Sequence, residues 1–280
     1  MPIPARKGIR FSAHRFSGNM DVRGTNMRGL ILVAIWLVLA LCPASAADAV
    51  GHATAGLDPV ALIRRIETQY QGRSSHGKIT MEIKTRHWQR TLMMEAWSEG
   101  RDRFLTRILE PRKERGTGTL KVADDIWNYF PRIDRLVKIP SSMMGDRWMG
   151  SHLTNDDLVK EGKVEELYVL TIERRSGPVV VIAGVPKPDA AVVWGKIRYE
   201  ADLEKEVPVR VEYFDEENAL VRTVVFSDLK ELDGRWIPMK FTVCPVEEPD
   251  ERTTMTYDDL KFDVAHEKDL FTIQRLRRAP

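Results

Sequence analysis

At 280 residues, 43% hydrophobic and 30% charged, the chain can bury one substantial core or two small ones. Its net charge of +2 is unevenly placed: residues 1–46 hold six Lys/Arg and one acid, which leaves 37 basic against 40 acidic residues, a net charge of −3, in the remainder. That balance offers no basic surface for nucleic acid. Beyond residue 46 only Cys244 remains, so no disulfide can form there and stability must come from the core.

Arg6, Lys7, Arg10, Arg15, Arg23 and Arg28 precede twelve apolar residues, Leu30 to Leu41, followed by Pro43 and Ala44-Ser45-Ala46. A basic start, a short apolar middle and an A-x-A end are the parts of a secretory signal peptide, with cleavage expected after Ala46. Twelve residues are too few for a stable bilayer span. Met27 is an alternative start. Leu39-Ala40-Leu41 before Cys42 resembles a lipobox, but Leu41 stands where a small residue is expected, so the A-x-A cut is favoured over a lipid anchor at Cys42. The expected organisation is a signal peptide over 1–46 and a single domain over 47–280.

The remaining chain opens with a helix. Asp58 suits the N-cap and Pro59 the first helical position, Val60, Ile63, Ile66 and Tyr70 recur on one face, and Gly72 ends it. From Lys78 the period changes to two, with Ile79, Met81 and Ile83 alternating with polar residues. Further strands are expected at Thr91–Trp97, Arg103–Leu109, Gly118–Val122, Asp125–Phe130, Arg135–Ile139, Glu166–Glu173, Val179–Gly184, Val193–Leu203, Val207–Phe214, Leu220–Leu229, Ile237–Val243 and Arg252–Phe262. Turn residues such as Ser176-Gly177-Pro178 and Leu232-Asp233-Gly234-Arg235 separate them. With only the first helix and a short helical insert around Ser141 to Lys160, the pattern predicts an α+β fold: a curved antiparallel β-sheet, an incomplete barrel, wrapped around an N-terminal helix and a short helical lid.

The strands differ in a way that bears on function. Ile197, Tyr199, Ala201 and Leu203 alternate cleanly with charged residues, whereas Leu92-Met93-Met94 and Phe104-Leu105 put apolar groups on both faces. The early strands are therefore expected to be covered on both sides or to leave an apolar surface for a guest.

Candidates for chemistry are few. His52, His76, His87, His152 and His266 stand in polar or turn contexts with no metal-ligand spacing, which predicts no metal site and no cofactor. The pairs Asp124-Asp125, Asp156-Asp157 and Asp258-Asp259 read as turn or cap residues, Ser141-Ser142 lies in no nucleophile motif, and Cys244 has no nearby His. No catalytic residues are expected, and the chain does not read as an enzyme. What remains is the run from Ile126 to Lys160, where Met143, Met144, Trp148, Met149 and Leu153 form an apolar cluster that either fills core or repacks around a partner.

Trp127-Asn128-Tyr129-Phe130-Pro131, Arg132 to Pro140, Ser142-Met143-Met144-Gly145 and Asn155-Asp156-Asp157-Leu158, with Asp269-Leu270-Phe271-Thr272 and Leu276 near the end, resemble the outer-membrane lipoprotein-sorting proteins similar to LolA and LolB. Where that family has Gly-Ser-Asp-Phe, this chain has Gly145-Asp146-Arg147-Trp148 and then Gly150-Ser151-His152-Leu153. The resemblance implies a half-barrel domain in the periplasm whose apolar cavity holds lipoprotein acyl chains or another lipid, with an inner-membrane transporter as a partner. On that reading Trp97, Phe104, Trp127, Tyr129, Met143, Met144, Trp148, Met149 and Leu153 contribute to the cavity and its lid, with Gly145 and Gly150 flanking a lid that moves. The alternative is a periplasmic lipid sensor that binds a membrane-protein partner. A hydrolase of envelope lipids is a third reading, disfavoured by the lack of a triad in the sequence.

Overall fold

The computed structural model describes residues 56–278; the signal-peptide reading, with Cys42 and the Ala46 cleavage point, lies outside the described residues. Helix α1 spans Pro59–Gln71. The Asp58 carboxylate accepts the Val60 amide at 2.9 Å, Pro59 opens the first turn, and Gly72, at φ 65°, ends the helix. The face it turns inward buries Leu62, Ile63 and Ile66, each worth roughly 1.5–3 kcal/mol of transfer from water.

Thirteen strands follow. β1 (Ser74–Lys84), β2 (Gln89–Glu99), β3 (Arg103–Glu110), β4 (Gly118–Val122), β5 (Asp125–Phe130) and β6 (Arg135–Lys138) form one meander. β7 (Tyr168–Ser176), β8 (Val179–Pro186), β9 (Lys196–Asp202), β10 (Val207–Phe214), β11 (Leu220–Leu232), β12 (Arg235–Pro245) and β13 (Arg252–Phe262) form a second. Antiparallel pairing of β1 with β13, Met81 opposite Met255, joins the two into one sheet ordered β6-β5-β4-β3-β2-β1-β13-β12-β11-β10-β9-β8-β7. β6 and β7 are its two ends and do not pair, so the sheet is a half-barrel rather than a closed one.

That topology dictates where the insert goes. The chain leaves the sheet at one end, after β6, and re-enters at the other, at β7, so residues 139–167 must cross the concave face. The crossing is made by single helical turns at Ser141–Met143 and Trp148–Gly150, then by α2 (Asn155–Lys160) and α3 (Val164–Leu167). The helical turn of α3 occupies Glu166 and Leu167, which the alternation assigns to a strand; β7 begins at Tyr168. Gly162 lets the crossing chain graze α1: its φ is +70°, and a Cβ there would meet the Gln71 side chain at 2.2 Å.

The core divides accordingly. Under α1, Leu62, Ile63 and Ile66 pack on Tyr168, Val180, Ile182, Ile197, Tyr199 and Val211 of the second meander. Under the insert, Ile79, Met81, Leu92, Met94 and Ile108 of the first meander pack on Trp148, Leu158 and Val159. The opposite face of the first meander is covered too, where Leu105, Leu120 and Tyr129 meet Leu270 and Leu276. Leu276 lies on α4 (Ile273–Arg277), a helix that the periodicity did not predict because five residues carry too little of a 3.6-residue repeat to be read. Covering on both sides accounts for Leu105 opposite Phe104, whereas Met93, between the buried Leu92 and Met94, stays exposed on the far face.

Candidate functional site

Between α1, the insert and the sheet lies a cavity of about 240 Å³. From α1 come Ile66, Glu67, Tyr70 and Gln71; from the insert, Trp148, Leu153, Leu158 and the polar residues Asp156, Asp157, Lys160 and Glu161. The sheet wall belongs mainly to the second meander: Tyr199 on β9, Tyr213 on β10, Phe226 on β11, Phe241 on β12 and Tyr257 on β13. Each of these aromatics stands two positions from a buried aliphatic residue on its own strand, Ile197, Val211, Val224, Val243 and Met255 respectively, so the side chains share the concave face. Tyr70 and Tyr257 meet through their hydroxyls at 3.1 Å, and burial raises both above the usual phenol range.

One end of the cavity is held by Arg222 of β11. Its guanidinium forks onto Asp157 of α2 (Nη1 to Oδ2 2.7 Å, Nη2 to Oδ1 2.5 Å), donates to the His152 carbonyl at 3.2 Å, and lies 4.6 and 4.3 Å from the ring centres of Trp194 and Tyr213. Burial pushes the Tyr213 hydroxyl up to about 12 despite the guanidinium beside it. Asp157 also closes a capping box with Thr154 at the start of α2, so the ion pair ties the insert to the sheet. Further along, Lys121 of β4 donates to the Leu158 carbonyl at 2.7 Å, and the Trp148 indole donates to Thr119 Oγ1 at 3.0 Å. The crossing segment is therefore pinned at several buried points.

A second polar cluster sits where α1, α3 and the β2–β3 turn meet. Burial pushes the Glu67 carboxyl up to about 9, reinforced by the neighbouring Glu165 carboxylate. Burial would raise Glu165 as well, but the proton on Glu67 together with Arg101 (3.0 Å) and Arg64 (3.4 Å) holds it below the usual range. The pair thus carries one proton between two carboxyls at neutral pH.

His152, on the insert, gathers partners that lie about a hundred residues away in sequence. Its Nδ1 is 2.9 Å from Thr253 Oγ1 and its Nε2 3.1 Å from Glu251 Oε2, and Glu248 brings a third potential metal ligand within 4.8 Å. Spacing along the chain could not reveal this group, because Glu248 and Glu251 come from the β12–β13 connection. A hydroxyl, an imidazole and a carboxylate in series have the connectivity of a catalytic triad. Thr253 is fully buried, however, and none of the three residues lines the cavity, so the arrangement serves to dock the insert onto β13.

The residues singled out in the sequence are distributed as follows. Phe104, Trp148 and Leu153 line the main cavity. Trp97 lines a smaller neighbouring cavity of about 70 Å³, and its ring stacks on His76 at 5.3 Å. Trp127 and Tyr129 lie in the cluster beneath α4, Met144 and Met149 pack against the core under the insert, and Met143 is exposed; these five do not line either cavity. Sequence reasoning missed Tyr70, Tyr199, Tyr213, Arg222, Phe226, Phe241 and Tyr257. The available signal was aromatic residues at inward positions of five successive late strands.

The unclosed antiparallel sheet, the crossing insert and the aromatic cavity define a LolA-like half-barrel. A family model whose description reads "-like: Uncharacterized protein" matches residues 100–278, well over half of the chain, and the chain belongs to that family. Among solved structures, an outer membrane lipoprotein-sorting protein domain from Vibrio parahaemolyticus is similar at 25% identity and TM-score 0.68, covering 78% of this chain and 98% of that one. A DUF1329 family protein from Desulfovibrio piger (22% identity, TM-score 0.70, 78% and 97% covered) and a LolA superfamily protein from Nitrosomonas europaea (16%, 0.65, 77% and 97%) share the fold. No curated protein matches the sequence.

Proposed function

We propose that the protein is a periplasmic carrier, exported by cleavage after Ala46, that holds lipoprotein acyl chains or another lipid in the cavity between α1, the insert and the second meander. The observation that carries this reading is the cavity itself: an aromatic and aliphatic lining with its charged residues gathered on the insert and α1 rather than on the sheet wall, apart from Arg222. The likeness to a lipoprotein-sorting domain at 25% identity supports it. Delivery towards the outer membrane, and loading by an inner-membrane transporter, belong to the same proposal.

The physical mechanism needs no covalent step. At roughly 30 Å³ per water-sized group, a 240 Å³ cavity takes about eight methylenes. Moving these out of water is worth about 6 kcal/mol, only slightly more than the lower bound of some 4 kcal/mol that association costs. Such a site binds reversibly, as a carrier must. Release follows if the crossing segment lifts, and the ties at His152, Asp157 and Leu158 set how far it can do so.

The test is lipid extraction and mass spectrometry of protein purified without detergent, paired with titration by a fluorescent fatty acid. Co-purified lipid and saturable binding are expected. Absence of both would overturn the carrier reading.

A further inference from the structure

The two cavities are contiguous. Tyr70, Gln71, Ile79, Phe104, Glu161 and Tyr257 line both the 240 Å³ lobe and the 70 Å³ annex, and the annex alone adds Lys121 and the serines Ser75 and Ser98. A largely apolar lobe thus lies against a smaller one with more polar lining. Resting on the carrier reading, we infer that the joined cavities take a single-chain amphiphile with a small, uncharged, hydroxyl-bearing head, the chain in the large lobe and the head beside Glu161.

Glu161 follows α2 in the insert, with its amide bonded back to the Asp157 carbonyl at 3.0 Å. Among the described residues its carboxyl makes no hydrogen bond or close ion pair, Lys121 being its favourable electrostatic neighbour, and much of its surface is accessible. It lines both lobes, so that free surface includes the wall of the junction. Facing the annex, Lys121 is buried and spends one of its three N–H donors on the Leu158 carbonyl, which leaves two. The other cations of the annex are committed elsewhere: Arg101 to Glu165 and Glu166, Arg103 to Glu99. The junction therefore offers one unused acceptor and one partly used donor of opposite charge. A carboxylate head would gain Lys121 but meet Glu161 at like charge, and an ammonium head would gain Glu161 but meet Lys121, so each ion sets one attraction against one repulsion and loses its own hydration, whereas a hydroxyl donates to the first and accepts from the second without conflict. At about 70 Å³ against 240 Å³, the annex suits a head much smaller than the chain.

The test compares three ligands with the same chain, 1-decanol, decanoate and decylamine, each below its aggregation threshold at neutral pH, by displacement of a fluorescent fatty acid from the protein. Decanol is expected to displace the probe at a concentration at least tenfold lower than either ion. Glu161→Gln should keep decanol binding and improve decanoate severalfold, and Glu161→Leu should weaken decanol towards the ions while probe binding persists. Equal displacement by the three, or unchanged preference in both variants, would overturn the assignment of the head site while leaving the carrier reading intact. Failure of the probe and of all three ligands to bind would overturn the carrier reading, and this inference with it.

Discussion

Arg222 is the residue on which the cavity's geometry turns. Its charge is buried against two aromatic rings, and its Nε has no partner, so the bidentate bond to Asp157 is what makes the burial tolerable. Asp157→Ala is expected to cost roughly 3–5 kcal/mol in urea unfolding because it strands the guanidinium, and Arg222→Leu in the same protein should recover part of that loss. Trp148, almost fully buried, fills the space between the insert and the first meander. Trp148→Ala should cost about 3–5 kcal/mol, whereas Trp148→Phe, which keeps most of the ring but drops the bond to Thr119, separates packing from the hydrogen bond.

Glu67 provides a pH signature at the same scale. Its carboxyl rises from an ordinary 4.5 to about 9 in the folded state, so below pH 4.5 both folded and unfolded chains hold the proton and nothing is lost. Between 4.5 and 9 the unfolded chain ionises while the folded one does not, and stability falls with rising pH by up to about 1.4 kcal/mol per unit. Glu67→Gln removes that slope. Unfolding measured from pH 5 to 9 should show the variant gaining on the native protein steadily, and parallel curves would contradict the assignment.

Among the elements, the crossing insert and the C-terminal segment have opposite roles on the two faces of one meander. Thr154 caps α2 and orients Asp157, so Thr154→Ala should cost about 1 kcal/mol and also loosen the Arg222 bond, raising the rate of amide exchange in the insert. Removing residues 264–278 would uncover Leu105, Leu120 and Tyr129 on the far face without touching the cavity. The truncated protein is expected to bind the dye ANS and aggregate, because an apolar patch of several side chains is left exposed.

For the whole molecule, the half-barrel leaves its concave face to α1 and one crossing segment, and these do not fill it. Ligand binding should therefore stabilise the fold: at a hundred times Kd, a bound amphiphile adds about 2.7 kcal/mol and raises Tm, which thermal unfolding with and without decanol would register. An unchanged Tm at saturating ligand would mean that the cavity is not the binding site.

Periodicity and turn chemistry by themselves determined most of the architecture. Asp58, Pro59 and Gly72 bounded the first helix, and the limits of β4, β5, β10 and β13 followed from alternation and punctuation, because those signals depend on near neighbours. The motifs between Trp127 and Leu158 also carried the family resemblance. What only the tertiary structure decided was which residues meet. His152 finds Thr253 and Glu251, Arg222 finds Asp157, and the aromatic wall gathers from five late strands rather than from the methionine-rich run. The reason is topological. Pairing β1 with β13 and leaving β6 and β7 as ends sends the insert across the concave face from one end of the sheet to the other, and a contact between residues 65 to 101 positions apart leaves no trace in local spacing.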